Sequence, residues 1–206
     1  MEYKFYYWGP YLQKVKVEKN VCDRLLKSGQ LLRAVNKDKQ GFNKHSFNKD
    51  LAGQLQEQYQ FPNEKWFIKE FDKYIDVYLQ GSKTWLGELP YNPKIRFESM
   101  WINFQKQNEW NPLHIHNECT HSFVLYLQVP QEIKAEHDKT VATIKDGGTI
   151  SFYYGEKSGD WCADFHRFCP EVGELFMFPS FLKHMVAPFK SKVERISVAG
   201  NFTLYE

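Results

Sequence analysis

A mainly β chain, a sandwich or barrel buttressed by N-terminal helices, is what three features of the sequence predict. From residue 94 onward, short apolar or alternating runs recur at 95–104, 122–129, 148–154, 174–178, 184–189 and 193–205, parted by Gly, Pro and Asn turns. Before residue 94 the apolar residues fall at helical spacing instead. Finally, 17 Phe, 12 Tyr and 6 Trp in 206 residues supply large apolar area for a β-rich interior. An eight-stranded jelly roll fits the strand count, and it would bring side chains from distant strands to one open end. The length suits one domain, with 1–93 as a strand and helix support and 94–206 as the β core.

In chain order, residues 2–8 and 11–17 alternate weakly and read as strands broken at Gly9-Pro10. Val21, Leu25, Leu26 and Leu32 predict a helix over 18–28, interrupted by Gly29. The stretch 34–50 is polar and reads as a loop, either a solvated connector or a segment near an active-site mouth, with His45 solvated. A longer helix follows Pro62: Asn63 caps it, Glu64 sits in its first turn, and Ile68, Phe71, Ile75, Tyr78 and Leu79 form its apolar stripe up to Gly81. In 95–104, Ile95, Phe97, Ser99, Trp101 and Asn103 share one face, and Met100, Ile102 and Phe104 the other. The run 122–129 is nearly all apolar, as in a strand covered on both sides. Residues 156–171, with Asp160, Trp161, His166 and Arg167, read as a loop, either at a substrate entrance or simply on the surface. His137 reads as exposed and His121 as structural.

Charge narrows the classes of partner. With 27 basic against 25 acidic residues, nothing calls for nucleic acid or an anionic membrane. No apolar run approaches the roughly 20 residues that span a bilayer, and Met1 to Trp8 lack the apolar core of a signal peptide. Cys22, Cys119, Cys162 and Cys169 show no Cys-x-x-Cys spacing, so free thiols and a cytoplasmic location are expected.

Two stretches carry chemistry. His114 and His116 stand two apart beside a strand, so both imidazoles point the same way about 7 Å apart along the backbone. His184, from a distant strand, offers a third neutral nitrogen, and three such ligands with open positions suit a catalytic metal better than a closed structural site. Eleven residues on, Arg195 and Ser197 share a strand face, and a guanidinium beside a hydroxyl is a receptor for a carboxylate. Tyr126 and the amides of Asn103 and Asn201 sit in otherwise apolar strands, where a polar group needs a partner; core packing and a site role both remain open for them.

Taken together, His114-Ile-His116, Ser122-Phe-Val-Leu-Tyr-Leu127, Gly173-Glu-Leu-Phe-Met-Phe-Pro-Ser180, His184-Met-Val-Ala-Pro188 and Arg195 to Asn201 resemble the iron(II)- and 2-oxoglutarate-dependent dioxygenases, most of all the small phage and bacterial members with a His-x-His motif. The resemblance spans about residues 95–204 and implies a double-stranded β-helix. It implies that His114 and His184 bind Fe(II), that Arg195 and Ser197 hold the distal carboxylate of 2-oxoglutarate, and that Tyr126 lies near this cosubstrate. The reaction would hydroxylate a small metabolite or a peptidyl prolyl residue with O2, releasing succinate and CO2. The superfamily has His-x-Asp or His-x-Glu where this chain has His114-Ile-His116, so two ligand sets compete: His114, His116 and His184, which the strand register favours, or a set using His116-Asn-Glu118. A cupin-type metalloenzyme without 2-oxoglutarate and a non-enzymatic jelly-roll binding module are the other readings; Arg195-Ile-Ser197 argues against the first.

Overall fold

The structure is a computed structural model, and it describes residues 9–37, 51–62, 65–156, 159 and 163–206. In chain order these form β1 (Gln13–Lys16), α1 (Lys19–Lys37), β2 (Gln58–Gln60), α2 (Lys65–Leu86), β3 (Lys94–Gln105), β4 (Asn111–His114), β5 (His121–Gln128), α3 (Gln131–Lys139), β6 (Ile150–Tyr153), β7 (Phe165–Phe168), β8 (Glu174–Pro179), β9 (Lys183–Val186) and β10 (Arg195–Tyr205). Every pairing is antiparallel. The major sheet runs β1-β8-β5-β10-β3-β2 and the minor sheet β4-β9-β6-β7. Strands β3 to β10 thus form the eight-stranded jelly roll, four to a sheet, and β1 and β2 extend the major sheet at both edges.

Alternation along the central strands sorts the side chains onto two faces. On β10, Ile196, Val198, Phe202 and Leu204 face the helices, joined by Phe123, Leu125 and Leu127 of β5 and Leu175 and Met177 of β8. The opposite face packs Val124, Tyr126, Phe176 and Phe178 against Ile150, Phe152 and Val186 of the minor sheet. This inter-sheet layer holds the polar residues singled out above. On β3, Phe97 joins Met100, Ile102 and Phe104 on the helix side rather than sharing a face with Trp101. The reason is a bulge: Asn201 pairs with Ser99 but Phe202 with Phe97, so Glu98 is skipped and the alternation inverts there.

α2 lies across the helix-facing side through Phe67, Phe71, Tyr74, Ile75 and Tyr78, all buried. Phe71 is the hub, with ring centroids 4.5 Å from Phe123, 5.3 Å from Phe67 and 5.8 Å from Phe97. Burying one such ring contributes about 1.5–3 kcal/mol. Asn63 and Glu64, expected to start this helix, lie outside the described residues, as do 2–8 and His45.

Two glycines expected to interrupt or end helices do neither. α1 continues through Gly29 to Lys37, and α2 through Gly81 to Leu86. A Cβ on Gly29 would lie 2.1 Å from Ile102 Cδ1, and one on Gly81 would lie 1.9 Å from the Tyr11 hydroxyl. Both glycines are therefore close-approach positions, which sequence alone cannot tell from helix breakers. The left-handed residue after α2 is Gly87, at φ +89°.

Two further elements differ from expectation. Part of the predicted 156–171 loop is β7, a short edge strand paired with β6, on which His166 is exposed. α3 has one buried residue, Ile133, and so little apolar signal. Its Glu136 carboxylate accepts hydrogen bonds from the Lys190 and Ser191 amides at 2.8–3.0 Å, tying down the β9–β10 connection. His137 on α3 is half-buried rather than exposed. Cys22, Cys119 and Cys169 are free thiols, as expected. Among the described residues, no helix is long and apolar enough to cross a membrane.

Gly29 provides a sharp test of packing against propensity. In a helix interior Gly→Ala ordinarily stabilises by about 1 kcal/mol. Here Gly29→Ala should destabilise by about 1–3 kcal/mol through overpacking. Because Ile102→Val removes the clashing Cδ1, the alanine should cost clearly less in that background. Urea unfolding of the two single variants and the double variant measures this coupling.

Candidate metal and cosubstrate site

The β4–β9 pairing places His114 directly opposite His184. The chain leaves β4 after His114, and His116 is held just beyond it by a hydrogen bond from its backbone N–H to the Ser180 carbonyl, 3.0 Å. The three imidazoles converge, with one ligand-competent nitrogen from each lying within 4.8 Å of the others. His116 Nε2 is 3.2 Å from His184 Nε2. That spacing suits two ligands about 2.1 Å from one ion at near right angles, which puts them about 3 Å apart.

Backbone carbonyls fix the orientation of two rings. His114 Nδ1 donates to the Pro112 carbonyl at 2.7 Å and His184 Nδ1 to the Leu182 carbonyl at 2.9 Å. Since a carbonyl only accepts, both Nδ1 atoms carry the proton and both Nε2 lone pairs face the cluster. His116 is stacked between Trp101, at 5.9 Å, and His184, at 5.1 Å. Burial lowers the pKa of all three: His116 falls to about 4, with the neighbouring His114 adding to the effect, and His184 lies well below the usual range. At neutral pH the cluster is three uncharged imidazoles, the form a metal requires.

Deeper between the sheets, a narrow cavity connects these rings to Arg195, Ser197, Tyr126, Asn103 and Gln105. Arg195 is 1% exposed. Its Nε and Nη2 donate to Gln105 Oε1 at 3.1 and 2.5 Å, and its Nη1 donates to the Gly148 carbonyl. All of these acceptors are neutral. Desolvation pulls the guanidinium pKa down, and the side chains that oppose this electrostatically are Tyr126 and Cys169, neither a carboxylate. The Tyr126 hydroxyl is fully buried without a hydrogen-bond partner among the described residues, and burial pushes its pKa up to about 12. The Arg195 guanidinium lies 5.5 Å from its ring. Asn103 accepts from Gln58 Nε2 at 2.9 Å and donates to Ser197 Oγ at 3.3 Å, so its amide holds the serine in place.

Glu118 does not join the imidazoles. It is exposed, in a left-handed turn at φ +61°, on the rim of an outer cavity of about 280 Å3 that opens from His114 and His116 past Trp101, Asn117 and Asn201. A larger cavity of about 430 Å3 lies between the end of α2 and Pro179; it is mostly apolar and contains His121 but no convergent charged groups. It lacks the chemistry of the inter-sheet site. Gln58, on a strand too short to show a period, and Gln105 do not stand out in the sequence. A signal for Gln105 was present, because it follows Trp101 and Asn103 in period two at the end of β3.

A jelly roll with converging histidines beside a buried arginine is an arrangement that could hold a metal ion next to an anion. Residues 99–201, half of the chain, match the family model for 2OG-Fe(II) oxygenases, and the chain belongs to that family. It is an enzyme that uses Fe(II) and 2-oxoglutarate. Solved structures sharing the fold include a Pseudomonas putida prolyl-4-hydroxylase, at 15% identity and TM-score 0.55, covering 93% of this chain and 91% of that one. A viral collagen prolyl hydroxylase from Paramecium Bursaria Chlorella virus-1, crystallised with 2-oxoglutarate, has 18% identity and TM-score 0.55, covering 94% and 96%. A Trichoplax adhaerens prolyl hydroxylase, in complex with a peptide fragment of hypoxia inducible factor, has 13% identity and TM-score 0.55, covering 94% and 83%. No curated protein matches the chain by sequence.

The buried histidines also set how the metal-free protein responds to pH. His116 and His121 are held near 4 by burial, and His114 and His184 are lowered as well. Below about pH 6.5 the unfolded chain therefore takes up protons that the folded chain refuses, and stability falls with falling pH. The histidine contribution should be fully present above about pH 7 and largely lost by pH 4.5. Urea unfolding of metal-free protein between pH 7.5 and 5 should show a clear decline in unfolding free energy, and a flat profile would contradict the neutral cluster.

Proposed function

We propose that this oxygenase binds Fe(II) through His114, His116 and His184, and holds 2-oxoglutarate with its distal carboxylate on Arg195 and Ser197. The observation that carries this is the pairing of three neutral, converging imidazoles with a buried guanidinium that has only neutral partners among the described residues. A buried charge without a counter-ion is costly, and a carboxylate arriving beside it relieves that cost. The Tyr126 hydroxyl, buried and unsatisfied, supplies another donor there, while Asn103 acts on the cosubstrate by orienting Ser197. When bound, iron supplies the activation of O2 that couples decarboxylation of 2-oxoglutarate to oxidation of the substrate. The chain's own contribution is to orient the ligands, exclude water between the sheets and position the two substrates.

The outer cavity past Trp101 and Asn201 is the entrance for the substrate in this reading. A prolyl side chain in a peptide, or a small metabolite, is the substrate proposed for it, and the prolyl hydroxylases among the structural neighbours support the peptide version. A cytoplasmic setting is proposed from the free thiols and the sequence.

Succinate formation from 2-oxoglutarate that requires both Fe(II) and O2 tests the activity. His184→Ala should weaken iron binding by more than the roughly 10- to 100-fold typical of losing only an outer-shell partner. His116→Ala should do the same, whereas Glu118→Ala should keep iron stoichiometry. If Glu118→Ala lost iron and His114→Ala kept it, the set using His116 and Glu118 would replace the three-histidine one.

A further inference from the structure

We propose that Gln105 is a positioning residue for the cosubstrate: it orients Arg195 while leaving its positive charge unpaired, which keeps the pocket selective for a dicarboxylate. This rests on the reading of Arg195 as the receptor for the distal carboxylate. The Gln105 amide is used at both ends. Its oxygen accepts from Arg195 Nε and Nη2, and its Nε2 donates to the Glu109 carbonyl at 2.5 Å. Only a carboxamide supplies an acceptor on one side and a donor on the other in that shape. With Gln105 and the Gly148 carbonyl satisfied, three of the five guanidinium N–H groups are committed, and one on each terminal nitrogen remains. Two such donors match a carboxylate bidentately.

The nearby acids are directed elsewhere. Glu194, next in the chain to Arg195, is turned to Arg33, with contacts of 2.9 and 2.8 Å. Glu57 takes the other side of Arg33, at 2.5 and 2.9 Å, together with Lys106. Burial alone would raise the Glu57 carboxyl, but hydrogen bonds from Arg33 and Lys106 outweigh it and hold the pKa at about 2. Glu109 accepts from the Gln56 and Lys106 amides. Each carboxylate around the base of the pocket thus has its own donors, and the group touching Arg195 is an amide. A glutamate at position 105 would have almost the same shape, yet it would neutralise Arg195 and compete with the incoming carboxylate.

The test compares two ligands on iron(II)-loaded protein by anaerobic calorimetric titration: 2-oxoglutarate, and 2-oxopentanoate, which lacks the distal carboxylate. Gln105→Glu should weaken 2-oxoglutarate by about tenfold to a hundredfold and leave 2-oxopentanoate within about twofold, with Fe(II) stoichiometry unchanged. Gln105→Met, which frees the guanidinium without adding charge, provides a second reading if the glutamate variant does not fold; it should also weaken only the dicarboxylate. Equal losses for both ligands would make Gln105 merely structural, and an unchanged 2-oxoglutarate affinity would overturn the proposal. Arg195→Leu separates the underlying reading. If that variant binds 2-oxoglutarate as tightly as the wild type, the receptor assignment itself fails.

Discussion

Strand β10 is hydrogen-bonded along both edges, to β3 over its full length and to β5 over residues 196–202. Its alternation therefore decides what faces the helices and what faces the site. Even-numbered residues Ile196, Val198, Phe202 and Leu204 enter the aromatic core, and odd-numbered Arg195, Ser197, Ala199 and Asn201 line the inter-sheet cavities. A one-residue slip would exchange the two sets, burying the guanidinium among phenylalanines. Phe71 and its aromatic neighbours hold the register from one side, while the Gln105 clasp on Arg195 holds it from the other. The stability of the core and the polarity of the site are thus two faces of one ladder.

Much of this was legible in the sequence because the relevant signals are local. Arg-x-Ser on a strand specifies a direction of projection from spacing alone. His114, His116 and His184 name their chemistry by residue type, although His116 lies just past the end of β4 and is aimed by its backbone bond to Ser180 rather than by the strand period. Six of the eight strands of the β core emerged for the same reason, while β4 and β7, four residues each, did not. What escaped depends on contacts between distant segments. Gly29 and Gly81 look like helix terminators until Ile102 and Tyr11 are seen against them. The face of Phe97 inverts because Glu98 is bulged, a property of the β3–β10 pairing rather than of β3.

The short elements were hidden for a different reason. α3 buries only Ile133, and β7 is an exposed edge strand, so neither has the apolar period that makes an element visible. Within the site, Tyr126 and Asn103 stood out as polar residues in apolar strands, but their parts differ: one hydroxyl lacks a partner, and one amide is spent holding Ser197. Gln105 had the right period, but its significance depends on the guanidinium it meets.

The sequence reads the segment before residue 94 as a support for the β core, and the sheet order gives it a more specific duty. β1 pairs with residues 174–177 at the outer edge of β8 and β2 with residues 101–103 at that of β3, so the six-stranded sheet ends on both sides in a short strand from the N-terminal region rather than in a long apolar one. A chain begun at residue 94 would leave two rows of unpaired backbone donors and acceptors beside strongly apolar strands. Such edges are templates for pairing with other chains. The N-terminal region is therefore also a guard against self-association, and the β core could not be trimmed free of it without inviting aggregation.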